Sequence, residues 1–393
     1  MLSQIEKTKL RTWVELDRSA IKKNYALFRK MIKKPTLLMC VVKSNAYGHG
    51  LVLFAKEMVD LGIDYLGVDS FEEALELRKN SIKTPIMVFG YVSPAYFNEA
   101  IKKNISITIS SLASLKALTN LKTKSQKIKI HIKADTGLGR QGFLPNQMKE
   151  VISFLKKHPL IEVEGIYTHL AVGENPKEHA YTAMQTKELL KWDKVLRDEG
   201  YKPIRHICAT SSTMLNPECH FDMVRVGIGM YGLWPSRETK DEVGKKYKLH
   251  PVLSWKAIIT DLKRLPKDTR IGYDLTEKLS RNSLLAVVPV GYWHGYPRLL
   301  SGKGVFNVKG KKVKLIGRVS MDMIVLDVTN VPNVKVGDEV AIIGGDSGHY
   351  AEADMMAQDS DTINYEITTR INPIIKRFYR INPLVKRFVV EKK

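Results

Sequence analysis

Between Pro35 and about Gly232, short runs rich in apolar and β-branched residues alternate with longer stretches whose apolar positions recur at helical spacing. Strands buried on both faces of a parallel sheet read as such near-continuous apolar runs. Eight of them can be placed: Leu37 to Val42, Tyr65 to Val68, Pro85 to Phe89, Ile105 to Ile109, Ile128 to Lys133, Val163 to Thr168, Ile204 to Cys208 and Met223 to Gly227. Helix signals fall between them. Ser70-Phe71-Glu72-Glu73 is a capping box opening Ala74 to Lys79, and Ala183 to Glu199 is a long amphipathic stretch. Eight strand–helix units predict an α/β fold, a (β/α)8 TIM-like barrel, although periodicity alone is met equally by a doubly wound sheet. After about Lys248 the texture changes to short alternating strands with turn signals such as Lys309-Gly310-Lys311 and Val336-Gly337-Asp338. The expected division is therefore a barrel over 1–245 and a mostly β C-terminal domain with a basic tail over 246–393.

A chain of 393 residues suits this division, since a barrel takes about 250 residues and leaves room for a second domain. No stretch approaches the roughly 18 consecutive apolar residues of a membrane helix. The opening Met1-Leu2-Ser3-Gln4-Ile5-Glu6-Lys7 lacks the pattern of a secretory signal, so a cytoplasmic location and no transmembrane segment are expected. Cys40, Cys208 and Cys219 are too few and too unevenly spaced for a disulfide framework or a zinc site. They read as reduced thiols, and no metal is expected.

The formal charge of +22 changes the picture more, because such a field attracts nucleic acid and anionic surfaces. Its lysines are scattered, as in Lys102-Lys103 and Lys156-Lys157, with no aromatic platform for bases, which reads as solvated helix faces and no nucleic-acid partner. The tail is the exception. From Arg370 to Lys393 it carries eight basic residues against Glu391 alone, and Arg370-Ile371-Asn372-Pro373-Ile374-Ile375-Lys376-Arg377-Phe378 recurs as Arg380-Ile381-Asn382-Pro383-Leu384-Val385-Lys386-Arg387-Phe388. It reads either as a packed domain end with its basic residues outward or as an anchor for anionic lipid.

In a barrel the chemistry sits at the carboxyl ends of the strands, which here carry Lys43, Asp135, His169, Thr210-Ser211-Ser212 and Arg225. Lys43 closes an apolar run and opens the polar, glycine-rich Ser44-Asn45-Ala46-Tyr47-Gly48-His49-Gly50. An amine buried at a strand end would lose its proton more readily and become a nucleophile able to form a Schiff base. A lysine that merely marks the strand's exit into solvent is the plainer alternative.

Lys43 to Gly50 closely resembles the cofactor-lysine signature of the bacterial alanine racemases, pyridoxal-phosphate enzymes built on a barrel plus a β domain; Ser44 stands where alanine is usual. The likeness runs from about Arg11 to about Tyr365. Arg225-Val226-Gly227-Ile228-Gly229-Met230-Tyr231-Gly232 matches a motif whose amides, at Gly227 and Ile228, bind phosphate and whose arginine donates to the pyridine nitrogen. A guanidinium does not give up its proton, so that nitrogen stays unprotonated and the ring is a weaker electron sink. The resemblance also implies that Tyr47, Ser211 and Tyr365 are phosphate ligands and that His169 shares a network with Arg225.

Racemisation demands two bases on opposite faces of Cα. By the same resemblance they are Lys43 and Tyr273, in Arg270-Ile271-Gly272-Tyr273-Asp274, with the tyrosine supplied by the second subunit of a homodimer. Without this motif Tyr273 would be read as core packing. In His131-Ile132-Lys133-Ala134-Asp135-Thr136-Gly137-Leu138-Gly139-Arg140, Arg140 matches a substrate-side arginine and Lys133 a lysine carbamylated in many family members. Tyr292, Met321 and Asp322 match residues around the substrate. Thr210 and His294 depart from the family's usual asparagine and aspartate. The implied activity is interconversion of L- and D-alanine, supplying D-alanine for peptidoglycan; a racemase of serine or lysine on the same scaffold is the nearest alternative.

Overall fold

A computed structural model describes residues 9–123, 125–344 and 352–380. Two compact units account for them. One holds residues 21–46 and 54–250, and the other holds residues up to 20, 47–53 and those from 251 onward.

The first strand, β1 (Thr12–Leu16), belongs to the second unit. The next eight are β2 (Leu37–Val41), β3 (Tyr65–Val68), β4 (Ile86–Val88), β5 (Ile105–Ile109), β6 (Ile128–Lys133), β7 (Ile161–Tyr167), β8 (Ile204–His206) and β9 (Met223–Val226). They form one parallel sheet in the order β8-β7-β6-β5-β4-β3-β2-β9. Its two ends meet through Arg225 N–H to Cys208 O (3.0 Å) and Asp222 N–H to Arg205 O (3.2 Å), so the sheet curls into the expected barrel. All eight strands lie where the apolar runs placed them. Every residue of β5 is buried, as a strand with helices outside and a filled barrel inside requires. The helix His179–Asp198 turns Leu189, Trp192 and Leu196 inward at helical spacing.

The second unit continues with β10 (Leu253–Ile258), β11 (Asp261–Leu265), β12 (Arg270–Ile271), β13 (Glu277–Lys278), β14 (Ser283–Val288), β15 (Val305–Val308), β16 (Lys311–Ile316), β17 (Ile324–Asp327), β18 (Glu339–Ile343) and β19 (Arg377–Tyr379). Its main sheet runs β11-β14-β17-β16-β15-β18-β10-β1-β19. Pairing is antiparallel except between β1 and β19. The predicted turn at Lys309-Gly310 is the two-residue link between β15 and β16, with φ of 49° and 78° at its two positions.

Two features escape local reading. Strand β1 pairs residue for residue with β10, from Thr12↔Ala257 to Leu16↔Leu253, although it lies in the span assigned to the barrel. The tail does not simply turn its basic residues outward. The half-buried Arg377 donates to the carbonyls of Gly48, Ile371, Asn372, Pro373 and Ile375, and burial pulls its pKa down to about 10. Tyr379 Oη donates to Leu53 O (2.8 Å). The first copy of the repeat is thus part of the fold, whereas the chain beyond Arg380 lies outside the described residues. Among the described residues, no helix is long and apolar enough to cross a membrane.

Candidate active site

Strand β2 ends at Val41, and Val42 is fully buried, but the Lys43 side chain is 39% exposed, with Nζ 3.6 Å from Asp69 Oδ1. The expectation of a buried amine is therefore not met. A side chain with water and a solvated carboxylate beside it bears little of the desolvation cost of the interior. What is unusual is the backbone. Ser44, Asn45, Ala46 and Tyr47 have φ of 56°, 57°, 53° and 51°, a left-handed turn of four L-residues that costs roughly 1–2 kcal/mol at each. Packing must hold it. Ala46 N–H donates to Val42 O (2.9 Å), and Asn45 N–H donates to Glu73 Oε1 (3.1 Å).

Glu73 is the residue that sequence reading underestimates. Ser70 Oγ accepts from Glu73 N–H (3.2 Å) as the capping box requires, but the Glu73 carboxylate accepts from Asp69 N–H (3.0 Å) and from Asn45 N–H. It therefore holds both the ion partner of Lys43 and the turn that follows Lys43. Glu73→Ala is expected to lower kcat on the order of tenfold by loosening the lysine. Thermal unfolding should report a loss of only about 1–2 kcal/mol. Unchanged kinetics would remove Glu73 from the site.

Tyr47 ends the left-handed turn, and its ring centroid lies 5.9 Å from that of Tyr365, so two expected phosphate ligands are neighbours. Gly48 makes their approach feasible: with φ of +83°, a Cβ there would sit 1.9 Å from Thr368 O.

Arg225 is 4% exposed. Its Nη1 contacts His206 Nδ1 (2.9 Å), and its Nη2 donates to Thr168 O (2.9 Å) and Ile207 O (3.0 Å) and lies 3.5 Å from His169 Nδ1. Burial brings its pKa down to about 10, which leaves it a cation at neutral pH. Burial, and then Arg225 itself, push His169 down to about 3 and His206 well below the ordinary histidine range, so both rings are neutral. The guanidinium is held by lone pairs and carbonyls.

The turn after β9 differs from expectation at one atom. Gly227 N–H donates to Thr210 Oγ1 (3.1 Å), and Gly229 N–H reaches the same hydroxyl at 3.4 Å. The Gly227 amide expected to bind phosphate is thus occupied by the residue that replaces the usual asparagine. Ser211, at 3% exposure, has its hydroxyl 3.2 Å from Thr239 Oγ1.

Lys133 is buried, and burial followed by the nearby Arg140 and Arg225 charges lowers its pKa to about 8. Its Nζ donates to Gln141 Oε1 (3.5 Å) and lies 5.4 Å from the centre of the Tyr167 ring. Asp135 shapes the loop that carries Arg140: Oδ1 accepts from the backbone N–H of Gly137, Leu138 and Gly139, and Oδ2 accepts from that of Arg140, all at 3.0–3.1 Å. Burial opposes its charge, but these four donors hold its carboxyl below the usual range. A lowered carboxylate pKa stabilises the fold above the unfolded value, and that contribution is lost as pH falls through the folded one. Asp135→Ala is therefore expected to cost about 1–3 kcal/mol at neutral pH, with the difference from the parent shrinking in acid, as denaturant titrations at several pH values would read. A pH-independent difference would contradict this.

Lys43, Lys133, Arg140 and Arg225 all bear on the titration of His169, so these strand-end residues form one electrostatic cluster. In the second unit, Tyr273 is 68% exposed on a turn between β12 and β13, beside the ion pair of Asp274 with Arg318 (2.5 Å). It is not core packing. Tyr292 N–H donates to Ser320 O (3.1 Å) and Trp293 N–H to Met321 O (3.0 Å), which places Tyr292 beside Met321 and Asp322. His294, where aspartate is usual, is buried, and its Nδ1 accepts from Gly291 N–H (3.2 Å). Burial keeps it neutral despite Asp322 4.0 Å away, so it supplies the turn with an acceptor but no negative charge.

The donors of the barrel are an amine, a hydroxyl and a buried guanidinium backed by neutral groups. This set fits a ligand with a phosphate and a ring nitrogen that accepts a hydrogen bond. A parallel barrel with these strand ends, followed by a β unit, is an architecture this chain shares with the two-domain barrel racemases. The profile of the alanine racemase N-terminal domain matches residues 16–235, and that of the alanine racemase C-terminal domain matches residues 252–379. An alanine racemase of Leptospira interrogans is 39% identical over 373 residues, covering 93% of this chain and 95% of its own. One from Methanococcus maripaludis is 37% identical over 370 residues, covering 93% and 98%. Among solved structures, the Bacillus anthracis alanine racemase with bound L-Ala-P has a TM-score of 0.89 at 33% identity, covering 95% of each chain. That of Clostridium difficile 630 has a TM-score of 0.87 at 30% identity, covering 95% and 96%. The chain belongs to the alanine racemase family and is an amino-acid racemase.

Proposed function

We propose that this protein interconverts L- and D-alanine with pyridoxal 5'-phosphate as cofactor, acts as a homodimer in the cytoplasm, and supplies D-alanine for peptidoglycan. The observation that carries this reading is the cluster of Lys43, Lys133, Arg140, His169 and Arg225 at the strand ends of the barrel. When bound, the cofactor supplies an electron-withdrawing ring that makes the Cα proton of an amino acid removable. Lys43 holds the cofactor and exchanges that proton on one face, and Tyr273 of the second subunit does so on the other. Arg225 donates to the ring nitrogen and withholds a full proton from it, which limits side reactions. Tyr47, Tyr365, Ser211 and the Ile228 amide grip the phosphate, with Gly227 sharing that task only by giving up Thr210.

Arg140, Tyr292, Met321 and Asp322 face the amino acid. The neutral fraction of Lys133 implied by a pKa of about 8 is the form that reacts with carbon dioxide, and a carbamate there would orient Arg140. The 68% exposure of Tyr273, with Trp293 and Met321 also more than half exposed, supports a subunit surface.

The test is formation of D-product from L-alanine, L-serine and L-lysine supplied singly to the cofactor-loaded protein. Alanine is expected to react fastest, and a preference for serine or lysine would overturn the assignment.

A further inference from the structure

Behind Arg225 a continuous string of polar side chains runs through the interior of the barrel. His206 Nδ1 faces Arg225 Nη1 (2.9 Å), His206 Nε2 faces His131 Nδ1 (2.9 Å), and His131 Nε2 faces Glu164 Oε2 (3.1 Å). Both imidazoles are fully buried. Gly165 leaves room for one of them, since a Cβ there would lie 2.1 Å from His131 Nδ1. The Tyr167 ring stacks on His206 at 4.8 Å and 5°. Glu164 also accepts from Tyr65 Oη (2.7 Å) and Ser106 Oγ, and pairs with Lys129 Nζ (3.2 Å).

The two ends of this string leave one self-consistent arrangement of protons. A guanidinium only donates and a carboxylate only accepts. Arg225 needs a lone pair at His206 Nδ1, so the neutral His206 carries its proton on Nε2 and donates it to His131 Nδ1, which must be a lone pair. His131 therefore keeps its proton on Nε2, where Glu164 accepts it. Removing the carboxylate would take away the acceptor that fixes the proton on His131 Nε2, so the string would no longer be pinned at that end and its reversed form, which sets a ring N–H against the donors of Arg225, would become accessible.

We propose that Glu164 is a positioning residue for Arg225, locking His131 and His206 in their Nε2–H tautomers so that the guanidinium keeps its place at the cofactor's ring nitrogen. The last clause rests on the function proposed above, whereas the tautomer lock does not. Burial opposes ionisation of Glu164, but the donors of His131, Ser106 and Tyr65 and the Lys129 ammonium converge on its carboxylate and keep it an acceptor.

Histidine-selective 15N NMR of the cofactor-free and cofactor-loaded protein tests this, with rings assigned by single substitution. The parent should show pure Nε2–H tautomers at His131 and His206 in both forms. In Glu164→Ala both rings should become tautomer mixtures, while the loaded protein keeps its visible cofactor absorbance and loses racemisation on the order of tenfold, the scale seen when an outer hydrogen-bond partner of a metal-ligating histidine is removed. Glu164→Gln, which keeps an acceptor, should retain the tautomers but shift the ring resonances of both histidines, because a hydrogen-bonded string is polarised along its length. If the alanine variant does not fold, the glutamine variant decides. His206 resonances unmoved in the variant that folds would overturn the proposal, and because this readout needs no cofactor it stands apart from any failure of the functional assignment.

Discussion

Lys43→Ala protein, purified and supplied with pyridoxal phosphate, is expected to lack the visible absorbance of covalently held cofactor and to racemise L-alanine at least about a thousandfold more slowly than the parent. One substitution removes both the covalent anchor and a base. The parent side chain is 39% exposed and its charge partner, Asp69, is solvated, so little packing is lost and the variant should unfold within about 0.5 kcal/mol of the parent. Absorbance spectra and a thermal melt of the same sample separate loss of the site from loss of the fold. A variant that keeps the parent's absorbance would show that Lys43 does not hold the cofactor.

Tyr273→Phe is the second large effect, and its pattern differs. The phenol is 68% exposed and its turn is held by the flanking ribbon and the Asp274–Arg318 pair, so the hydroxyl contributes nothing visible to the fold. Cofactor absorbance should be retained, and kcat should fall by roughly 10²–10⁴, the range for removal of a general acid or base. Because Lys43 remains, exchange of the Cα proton with solvent should persist from one enantiomer and collapse for the other. Equal losses for both enantiomers would argue against a base confined to one face.

The strands of the barrel were legible because each is a short apolar run flanked by helix signals, and a barrel puts chemistry at strand ends regardless of side-chain detail. Motif resemblance then singled out Lys43, Arg225, Arg140 and Tyr273. Local pattern could not show pairing over distance. Strand β1 joins β10 some 240 positions away; Glu73, legible only as a cap, reaches Asn45 across 28 positions. Arg377, one of eight basic residues in the tail, turned out to satisfy five carbonyls because backbone acceptors leave no mark on the sequence. The exposure of Lys43 was misjudged for a related reason: an apolar run says where a strand is buried, and the left-handed turn that follows it has no apolar signature. His131, His206 and Glu164 lie within predicted strands, where polar residues facing the inside of a barrel cannot be told from those facing its helices until the register is known.

The most direct test of the two-base account is racemisation of L-alanine by the cofactor-loaded protein in heavy water, followed to low conversion. D-alanine should appear carrying deuterium at Cα, because the proton taken by one base does not return from the other. Absence of D-alanine, or D-alanine that retains its original α-proton, would contradict it.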